Sequence, residues 1–190
     1  MKKIILMVVA LIASTATFAQ APVGSISLKP QVGINGSTMT DFDNTKMKVG
    51  FVGGAELEYQ ATDIFSVSAG LLYSQQGVQF KDGYSGNLGG LNINIKDTQL
   101  KLDYINVPIL ANVYVVPGLA VKLGVQPGFL VNDHNLSAKS FDFSIPVGLS
   151  YEFSNVVIDG RYNWGVTKAW DNINHKNSVF QITLGYKFTL

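Results

Sequence analysis

This 190-residue chain has few residues of the types that act as nucleophiles or general bases in enzymes: it has no cysteine and only two histidines. His175 lies close to Ser178, and a histidine beside a serine can supply the base and the nucleophile of a hydrolase or acyltransferase. No placed carboxylate or oxyanion donors accompany the pair, and the other histidine, His134, falls in a different predicted loop. We therefore expect that the chain is not an enzyme and has no catalytic residues.

Two further segments superficially resemble ligand-binding loops. The run DFDN, from Asp41 to Asn44, has the carboxylates of a calcium loop but lacks the later glycine and the bidentate glutamate. The glycine-rich run DGYSGNLGG, from Asp82 to Gly90, follows no βα pattern and so does not predict a phosphate cradle. We expect no metal site and no cofactor, and interpret both runs as solvated loops.

The composition excludes other classes. A formal net charge of +1 gives no electrostatic reason to expect a nucleic-acid partner. The chain has no cysteine, so it has neither a disulfide framework nor a lipid-modified cysteine. Charged residues make up only 14% of the chain and mean hydropathy is +0.21, yet the N-terminus holds the one continuously apolar stretch. The remaining hydrophobicity must therefore be dispersed by alternation.

The charged residues of the alternating segments lie on the polar side of the alternation. Those assigned to the interior are five cations, Lys29, Lys48, Lys122, Arg161 and Lys187, and five anions, Glu56, Glu58, Asp142, Glu152 and Asp159. Isolated charges are costly in a narrow interior, whereas paired charges are tolerated. A selective pore would more often carry a ring of one sign. The balance therefore predicts an internal ionic network, and the alternative is a path for protons or ions.

The elements that must position these charges are strands. Eight segments alternate apolar and polar residues with a period of two, over residues 26–35, 48–59, 65–76, 100–115, 119–131, 141–153, 156–166 and 177–190. The alternation is clearest in residues 141–153, where every second residue from Phe141 to Phe153 is aromatic or aliphatic. No segment has sustained apolar residues at helical spacing. The sequence predicts an all-β chain of eight antiparallel strands.

The connections between these strands alternate between short and long. Tight turns are predicted at residues 61–63, 116–118 and 154–155, and long polar links at 36–47, 79–98, 132–140 and 167–177. An up-and-down transmembrane β-barrel has this order, with short periplasmic turns, longer external loops and both termini on the periplasmic side. A Greek-key sandwich gives no reason for it.

The volume of the side chains indicates which face of each strand meets lipid. An eight-stranded barrel has room inside for little more than its own side chains, and the apolar faces carry too many aromatic residues to fit there. The opposite faces are rich in glycine and serine, which suit a crowded lumen. This argument disfavours a secreted ligand-binding barrel. Aromatic residues near both strand ends, such as Tyr59 and Phe153 at the turns and Phe51 and Trp164 toward the loops, match the girdles of membrane barrels.

The N-terminus has the pattern of a secretory signal. Lys2 and Lys3 precede an apolar run that is too short to span a bilayer, and small residues follow at the positions that a signal peptidase reads. We expect cleavage after Ala19, with cleavage after Ala21 as the alternative. The predicted division is a signal peptide over residues 1–19 and an outer-membrane barrel domain over residues 20–190.

Several runs of the chain resemble the PorT-like outer-membrane β-barrel family of Bacteroidota. They are TFAQ at the end of the signal, ELEYQATDIFSVSAGLLYSQQG, LDYINVPILANVYV, FDFSIPVGLSYEF with GRYNWGVT, and VFQITLGYKF. The chain departs from the family by placing Asn106 where an acidic residue is usual. The resemblance implies an eight-stranded barrel of the OmpA/OmpX type, and an assembly machinery that recognises Gly185, Tyr186 and Phe188 in the last strand. It implies no activity, and we do not transfer the type IX secretion role of one member.

The function expected from these features is that of a small barrel in the outer membrane of a Gram-negative bacterium, acting structurally or through its loops. The expected partners are outer-membrane lipid and lipopolysaccharide, the barrel assembly machinery and a surface partner, for which Trp170 is the loop aromatic residue of interest. We expect a monomer and no nucleic acid. The alternative is a narrow channel for ions or small solutes.

The fourth segment contains one irregularity. Leu100 and Leu102 place the even positions on the apolar side, whereas from Ile105 onward the odd positions are apolar. A period of two changes parity only if an extra residue is accommodated, so we predict a β-bulge near Tyr104 that turns Asp103 and Tyr104 into the lumen together. The alternative is that the strand begins at Tyr104.

Overall fold

The computed structural model describes residues 21–39, 45–80, 84–88, 91–95, 99–132, 140–170 and 173–190. All the regular structure in these residues is β, and among them no helix has the length and apolar character to cross a membrane. The predicted signal peptide, His134 and the run from Asp41 to Asn44 lie outside the described residues, as does part of the glycine-rich run at 82–90.

The strands follow the predicted segments closely. Their bounds are β1 Ile26–Met39, β2 Thr45–Lys46, β3 Lys48–Thr62, β4 Phe65–Phe80, β5 Tyr84–Leu88, β6 Leu91–Ile95, β7 Gln99–Asn106, β8 Ile109–Val116, β9 Leu119–Asn132, β10 Phe141–Phe153, β11 Val156–Trp170, β12 Ile173–Tyr186 and β13 Phe188–Thr189. β10 coincides with the predicted segment, because its alternation is uninterrupted from end to end.

The strands pair antiparallel in a closed ring, in the order β1, β3, β4, β7 with β8, β9, β10, β11 and β12. β7 and β8 are two halves of one barrel strand, interrupted at Pro108, and β13 continues β12. The ring closes where β12 pairs with β1, from Gln31 opposite Gly185 to Met39 opposite Asn177. The predicted eight-stranded antiparallel barrel is confirmed.

Three tight turns connect strands at one rim of the barrel, which we call the turn end; the opposite rim is the loop end. The second and third turns lie at Pro117-Gly118 and Ser154-Asn155, where they were predicted, and the first is centred on Asp63 and Ile64. Gly118 has a φ of 78°, which glycine adopts at no steric cost, and Ser154 adopts a φ of 55°.

The two faces of each strand differ in exposure as the alternation predicted. In β10, Phe141, Val147 and Phe153 are exposed on the outside of the barrel, whereas Asp142 and Glu152 are buried in the lumen. The four aromatic residues named for the two girdles, Phe51, Tyr59, Phe153 and Trp164, are exposed outward, and so are Phe129, Phe180 and Phe188. The prediction that the apolar faces point away from the lumen is correct.

The predicted change of parity in the fourth barrel strand is wrong, and so is the alternative that the strand begins at Tyr104, because β7 begins at Gln99. A register shift does lie between Asp103 and Tyr104, near the predicted position, and both side chains are buried. β7 pairs with β4 in one register from Gln99 to Asn106, and β8 continues that register from Ile109. Leu102 and Tyr104 are both buried, on the same face as the lumen residues that follow them. Leu102 was assigned to lipid because it is apolar, but the lumen also contains apolar side chains. The extra residue is on the neighbouring strand: Asp103 opposes Asn132 and Tyr104 opposes Leu130, which leaves Val131 of β9 as the bulged residue.

The long connections contain more β-structure than was predicted. β5 and β6 form a separate hairpin within the link at 79–98. β11 extends to Trp170 and β12 begins at Ile173, so the link expected at 167–177 is much shorter and His175 lies within a strand. The polar sequence of these extensions concealed them, because outside the apolar slab of a membrane a strand needs no apolar face.

Candidate functional site

The lumen residues that carry charge form the candidate site. Strand pairing brings them together: Lys29 of β1 is the direct cross-strand partner of Glu56 in β3. Asp159 and Arg161 lie two positions apart in β11 and therefore point to the same side of the barrel wall. The charges separate into two clusters.

The first cluster, which we call the central group, comprises Lys29, Glu56, Lys122, Asp159 and Arg161. Lys29 Nζ lies 2.8 Å from Glu56 Oε2, and Arg161 Nη2 lies 2.5 Å from Glu56 Oε1. Arg161 also donates from Nε to Asp159 Oδ1 at 2.6 Å, and Lys122 Nζ donates to Asp159 Oδ2 at 2.6 Å. Lys29 Nζ also lies 3.8 Å from Asp159 Oδ2, so Glu56 pairs with two cations and Asp159 with three, and the five residues form one continuous set of contacts.

The central group crosses the lumen from one wall to the other. Lys29 stands on β1 and Lys122 on β9, and three barrel strands separate these two in either direction around the ring. All five side chains are at most 3% exposed. Three cations face two carboxylates, so the group carries a net charge of +1. Buried charges of this kind are tolerated only when each has partners of opposite sign.

The second cluster lies closer to the short turns and is called the turn-end group: Glu58, Tyr114, Glu152 and Lys187. Lys187 Nζ lies 2.8 Å from Glu152 Oε2 and 3.2 Å from Glu58 Oε1. The Tyr114 hydroxyl donates to Glu58 Oε1 at 2.6 Å, and Lys187 Nζ donates to the Tyr114 oxygen at 3.3 Å. One cation serves two carboxylates, so this group carries a net charge of −1.

Tyr114 and Ser66, whose hydroxyl groups contact Glu58, were not singled out by the sequence analysis. Ser66 Oγ donates to Glu58 Oε1 at 2.8 Å, so Glu58 accepts from two hydroxyl groups besides its ion pair. The alternation of the strand could have identified Tyr114. It lies between Val113 and Val115, which are exposed on the outside, and it is itself buried on the opposite face. A tyrosine on the lumen face of a strand needs a partner for its hydroxyl.

Asp142 and Lys48, which were expected in the same network, lie toward the loop end. Asp142 accepts a hydrogen bond from Thr167 Oγ1 at 3.0 Å, and Lys48 Nζ donates to the main-chain oxygen of Gln76 at 2.5 Å. Both are buried. Neither belongs to the central group or the turn-end group, because the stagger of the barrel places them at a different height.

Amide and hydroxyl side chains also line the lumen. Asn35 Nδ2 donates to Ser74 Oγ at 2.9 Å, and Thr183 Oγ1 donates to Gln31 Oε1 at 3.0 Å. Gln126 Nε2 donates to Ser144 Oγ at 3.3 Å. In the part of the chain that the structure describes, no set of three or more histidine, cysteine, aspartate or glutamate residues could hold a metal ion.

The residues proposed as an assembly signal lie at the closing seam of the barrel. Gly185 pairs with Gln31, and the rings of Tyr186 and Phe188 lie 4.7 Å apart on the outer surface. Lys187, between them, points inward to the turn-end group, and its main-chain nitrogen donates to the Asn155 oxygen at 2.7 Å. The same short segment therefore contributes to the seam, the outer surface and the lumen.

Comparisons with known proteins bear on this arrangement in two ways. A family model described as "Outer membrane protein beta-barrel domain" matches residues 18–171. A search of curated proteins gives no match.

Solved structures of outer-membrane barrels share the fold. Ail of Yersinia pestis is 16% identical with a TM-score of 0.51 over 88% of this chain and 100% of that one. Neisserial surface protein A is 14% identical with a TM-score of 0.53, covering 86% and 97% of the two chains. OprG of Pseudomonas aeruginosa is 15% identical with a TM-score of 0.50, covering 88% and 97%. At these identities the likeness concerns the fold alone. The family match spans most of the sequence, and the chain therefore belongs to the outer membrane protein β-barrel domain family and is an outer-membrane barrel.

Proposed function

We propose that this barrel is closed to solutes by its lumen ion pairs and acts structurally or through its external loops, without catalysis. The observation that carries the proposal is the chain of contacts from Lys122 through Asp159, Arg161 and Glu56 to Lys29, which crosses the lumen between opposite walls. The turn-end group adds a second set of contacts closer to the periplasmic rim.

Passage of an ion would require these contacts to separate. Each carboxylate of the central group is held by two cations at 2.5 to 2.8 Å, and breaking a buried pair leaves a charge without compensation, at a cost of about 3–5 kcal/mol. The side chains are almost completely buried, so little water is available to replace the lost partners. The geometry supports a plug better than a pore.

Conductance across planar lipid bilayers tests the proposal. The wild-type barrel, shown to be folded by its heat-modifiable migration in gels, is expected to give no steady current. Replacing Lys29, Glu56 and Arg161 together by serine should remove the central obstruction, whereas Ser150→Ala, which changes a buried neutral residue, should leave the barrel silent. Steady open-channel currents from the wild type at moderate voltage would overturn the proposal and favour the narrow channel instead.

The external loops are the remaining surface through which such a barrel can act. We propose that they contact lipopolysaccharide and a surface partner, and that the barrel is a monomer. The β5–β6 hairpin supports this role, because it is a separate two-stranded sheet outside the ring. Replacing residues 81–98 by a short turn should leave a folded barrel that no longer binds lipopolysaccharide vesicles. Unchanged vesicle binding would count against a role for this loop.

The finer assignment of the chain is also a proposal. Motifs such as DYINVPIL support a place among the PorT-like barrels of Bacteroidota, and the N-terminal pattern supports export with cleavage after Ala19. The seam position of Gly185, Tyr186 and Phe188 supports their recognition by the assembly machinery. N-terminal sequencing of the protein purified from outer membranes tests the export proposal, and residue 20 should come first.

A further inference from the structure

The turn end of the barrel exposes apolar side chains beyond the strands of the wall. They are Val23 before β1, Ile64 in the first tight turn, Val116 beside the second turn and Leu190 after β13, and they are 54 to 76% exposed. Each of these positions adjoins a strand of the wall, so the four residues stand around the rim of the barrel and not across its mouth. We call them the rim residues. Exposed apolar groups that recur in this way mark a surface of contact.

The same rim carries almost no charge. The described residues at the turn end are 21–25, 60–64, 115–119, 153–156 and 188–190, and Asp63 is the one charged side chain among them. Lys187, which precedes the last of these ranges, is buried and pairs inside the lumen. A surface suited to water has about 25–35% charged residues. The rim therefore does not have the character of a surface that stands free in the periplasm.

Main-chain groups at the rim form hydrogen bonds within the protein. Each of the four places that carry the rim residues has such a bond, at 2.7 to 2.9 Å: Tyr114 N donates to Ile64 O, Glu152 N to Gly118 O, Gly24 N to Gln60 O and Leu190 N to Ile26 O. Main-chain groups that meet lipid need partners inside the protein, because no water replaces them. The rim thus satisfies a requirement that a turn in water does not have.

The rim residues continue the lipid-facing wall. Tyr59 and Phe153 are exposed on the wall beside the first and third turns, and Val115 and Val116 are exposed one after the other at the end of β8. The third turn is the polar exception, and its Asn155 Nδ2 donates to the main-chain oxygen of Lys187 at 2.8 Å. The outer apolar surface therefore runs from the wall onto the rim over most of the circumference.

We propose that the turn end is immersed in the phospholipid interface, with the rim residues in contact with acyl chains at the level of the headgroups. Apolar and aromatic side chains are favoured at this depth, and the headgroup region accommodates the single charge of Asp63. Lipid surrounds a barrel and so matches an apolar ring. A protein docked on this end would also have to cover the mouth, next to the negatively charged turn-end group.

Two consequences distinguish this arrangement from a rim in water. The barrel sits deeper toward the turn end than the aromatic residues of the wall alone would place it, and the first two turns offer no free surface to a soluble partner. Neither consequence depends on whether the lumen is closed to solutes.

Spin labels at single cysteines test the proposal, and the chain has no native cysteine to interfere. Ile64→Cys and Val116→Cys report on the rim, Leu149→Cys on the exposed wall in the middle of β10, and Ser85→Cys on the β5–β6 hairpin outside the ring. Each barrel is purified from outer membranes, checked by heat-modifiable migration, labelled and transferred to phosphatidylcholine vesicles. Power-saturation electron paramagnetic resonance then measures collisions with oxygen, which enters the hydrocarbon, and with a water-soluble nickel chelate present on both sides of the membrane.

The ratio of oxygen to nickel collisions should be high at Leu149 and low at Ser85. At Ile64 and Val116 it should exceed the ratio at Ser85 by at least about threefold, because the polar chelate is excluded from an apolar environment. The vesicles contain no other protein, so this protection can come only from lipid or from a second copy of the chain. It should persist when the barrel is diluted in lipid. A smaller difference from Ser85 would place the rim in water, and loss of protection on dilution would assign the rim to contact between copies; either result would overturn the proposal.

Discussion

Lys29 and Glu56 are direct cross-strand partners on β1 and β3, and their charged atoms lie 2.8 Å apart inside the barrel. Glu56 also forms an ion pair with Arg161, which reaches it from β11 across the seam between β1 and β12. One carboxylate therefore holds together strands on both sides of the point where the ring closes.

Removing Glu56 should destabilise the barrel strongly. In Glu56→Ala, both Lys29 and Arg161 lose their contacts with the carboxylate, and Arg161→Ala correspondingly leaves Glu56 with one cation fewer. Each variant should lower the free energy of unfolding by about 3–5 kcal/mol, measured by denaturant unfolding in detergent. Ser150→Ala, in which a buried neutral side chain is shortened, should lose no more than about 1–3 kcal/mol. Equal losses in Glu56→Ala and Ser150→Ala would contradict the central group's role.

The turn-end group should be more sensitive to loss of its cation than to loss of one of its anions. Lys187→Met leaves Glu58 and Glu152 close together with no cation between them, whereas Glu58→Gln leaves Lys187 paired with Glu152. We expect a loss of about 3–5 kcal/mol for Lys187→Met and a smaller loss for Glu58→Gln. Denaturant unfolding of the two variants under identical conditions checks this order. A larger loss for Glu58→Gln than for Lys187→Met would contradict the role of Lys187 in neutralising the two carboxylates.

Gly148 should be required for the position of Arg161. The two residues are cross-strand partners, and a Cβ on Gly148 would meet the main-chain oxygen of Gly160 and lie 3.0 Å from Arg161 Cγ. Gly148→Ala should therefore displace Arg161 and cost about 1–3 kcal/mol. Gly160→Ala is the matched control, because a Cβ there meets nothing within 4 Å, and it should change stability by no more than about 0.5 kcal/mol. A similar cost for both variants would remove the steric explanation.

Deleting residues 185–190 should prevent closure of the barrel. The deletion removes the partners of Gln31, Ser27 and Leu28 on β1, and each backbone group left unsatisfied in lipid costs several kcal/mol. The truncated chain should show no heat-modifiable migration, whether it is refolded in detergent or expressed in cells. Phe188→Ala separates the two possible causes: it should refold in detergent but assemble poorly in cells if Phe188 belongs to a recognition signal. Normal migration of the truncated chain would contradict the requirement for closure.

Except at the start of the fourth barrel strand, the alternation of residue types was sufficient to predict which side chains point into the lumen. A strand has only two faces, so for a run such as Phe141 to Phe153 the only question is which face points into the lumen. The aromatic side chains are too bulky for the interior of an eight-stranded barrel, so their face must point outward. All ten charged residues assigned to the polar faces are buried in the structure. This part of the fold is local in the sequence, and for that reason it could be predicted.

The choice of ion-pair partners could not be predicted, because it depends on the stagger between strands that are distant in sequence. Lys122 meets Asp159 only after β9, β10 and β11 have been placed at their relative heights, and the same stagger puts Asp142 at the loop end. Tyr114 was missed for a related reason, since its role becomes visible only when Glu58 is placed beside it.

The error at Leu102 arose from treating apolar character as contact with lipid. Val52, Leu72 and Leu110 are also buried in the lumen, so the apolar character of a single residue does not show which face of the strand it occupies. The bulge is real but lies at Val131 on β9, where the sequence shows no break in pattern that would reveal it.

The two ion-pair groups differ in net charge, and they are separated along the barrel axis. Glu56 and Glu58 are two residues apart on β3, a rise of about 7 Å along the strand, so the positive central group stands toward the loop end and the negative turn-end group toward the turn end. Together they form a permanent electric dipole along the lumen. An anion that enters at the turn end is repelled by the turn-end group, and a cation that passes Lys48 and Asp142 from the loop end is repelled by the central group. The arrangement therefore opposes anions from one end and cations from the other.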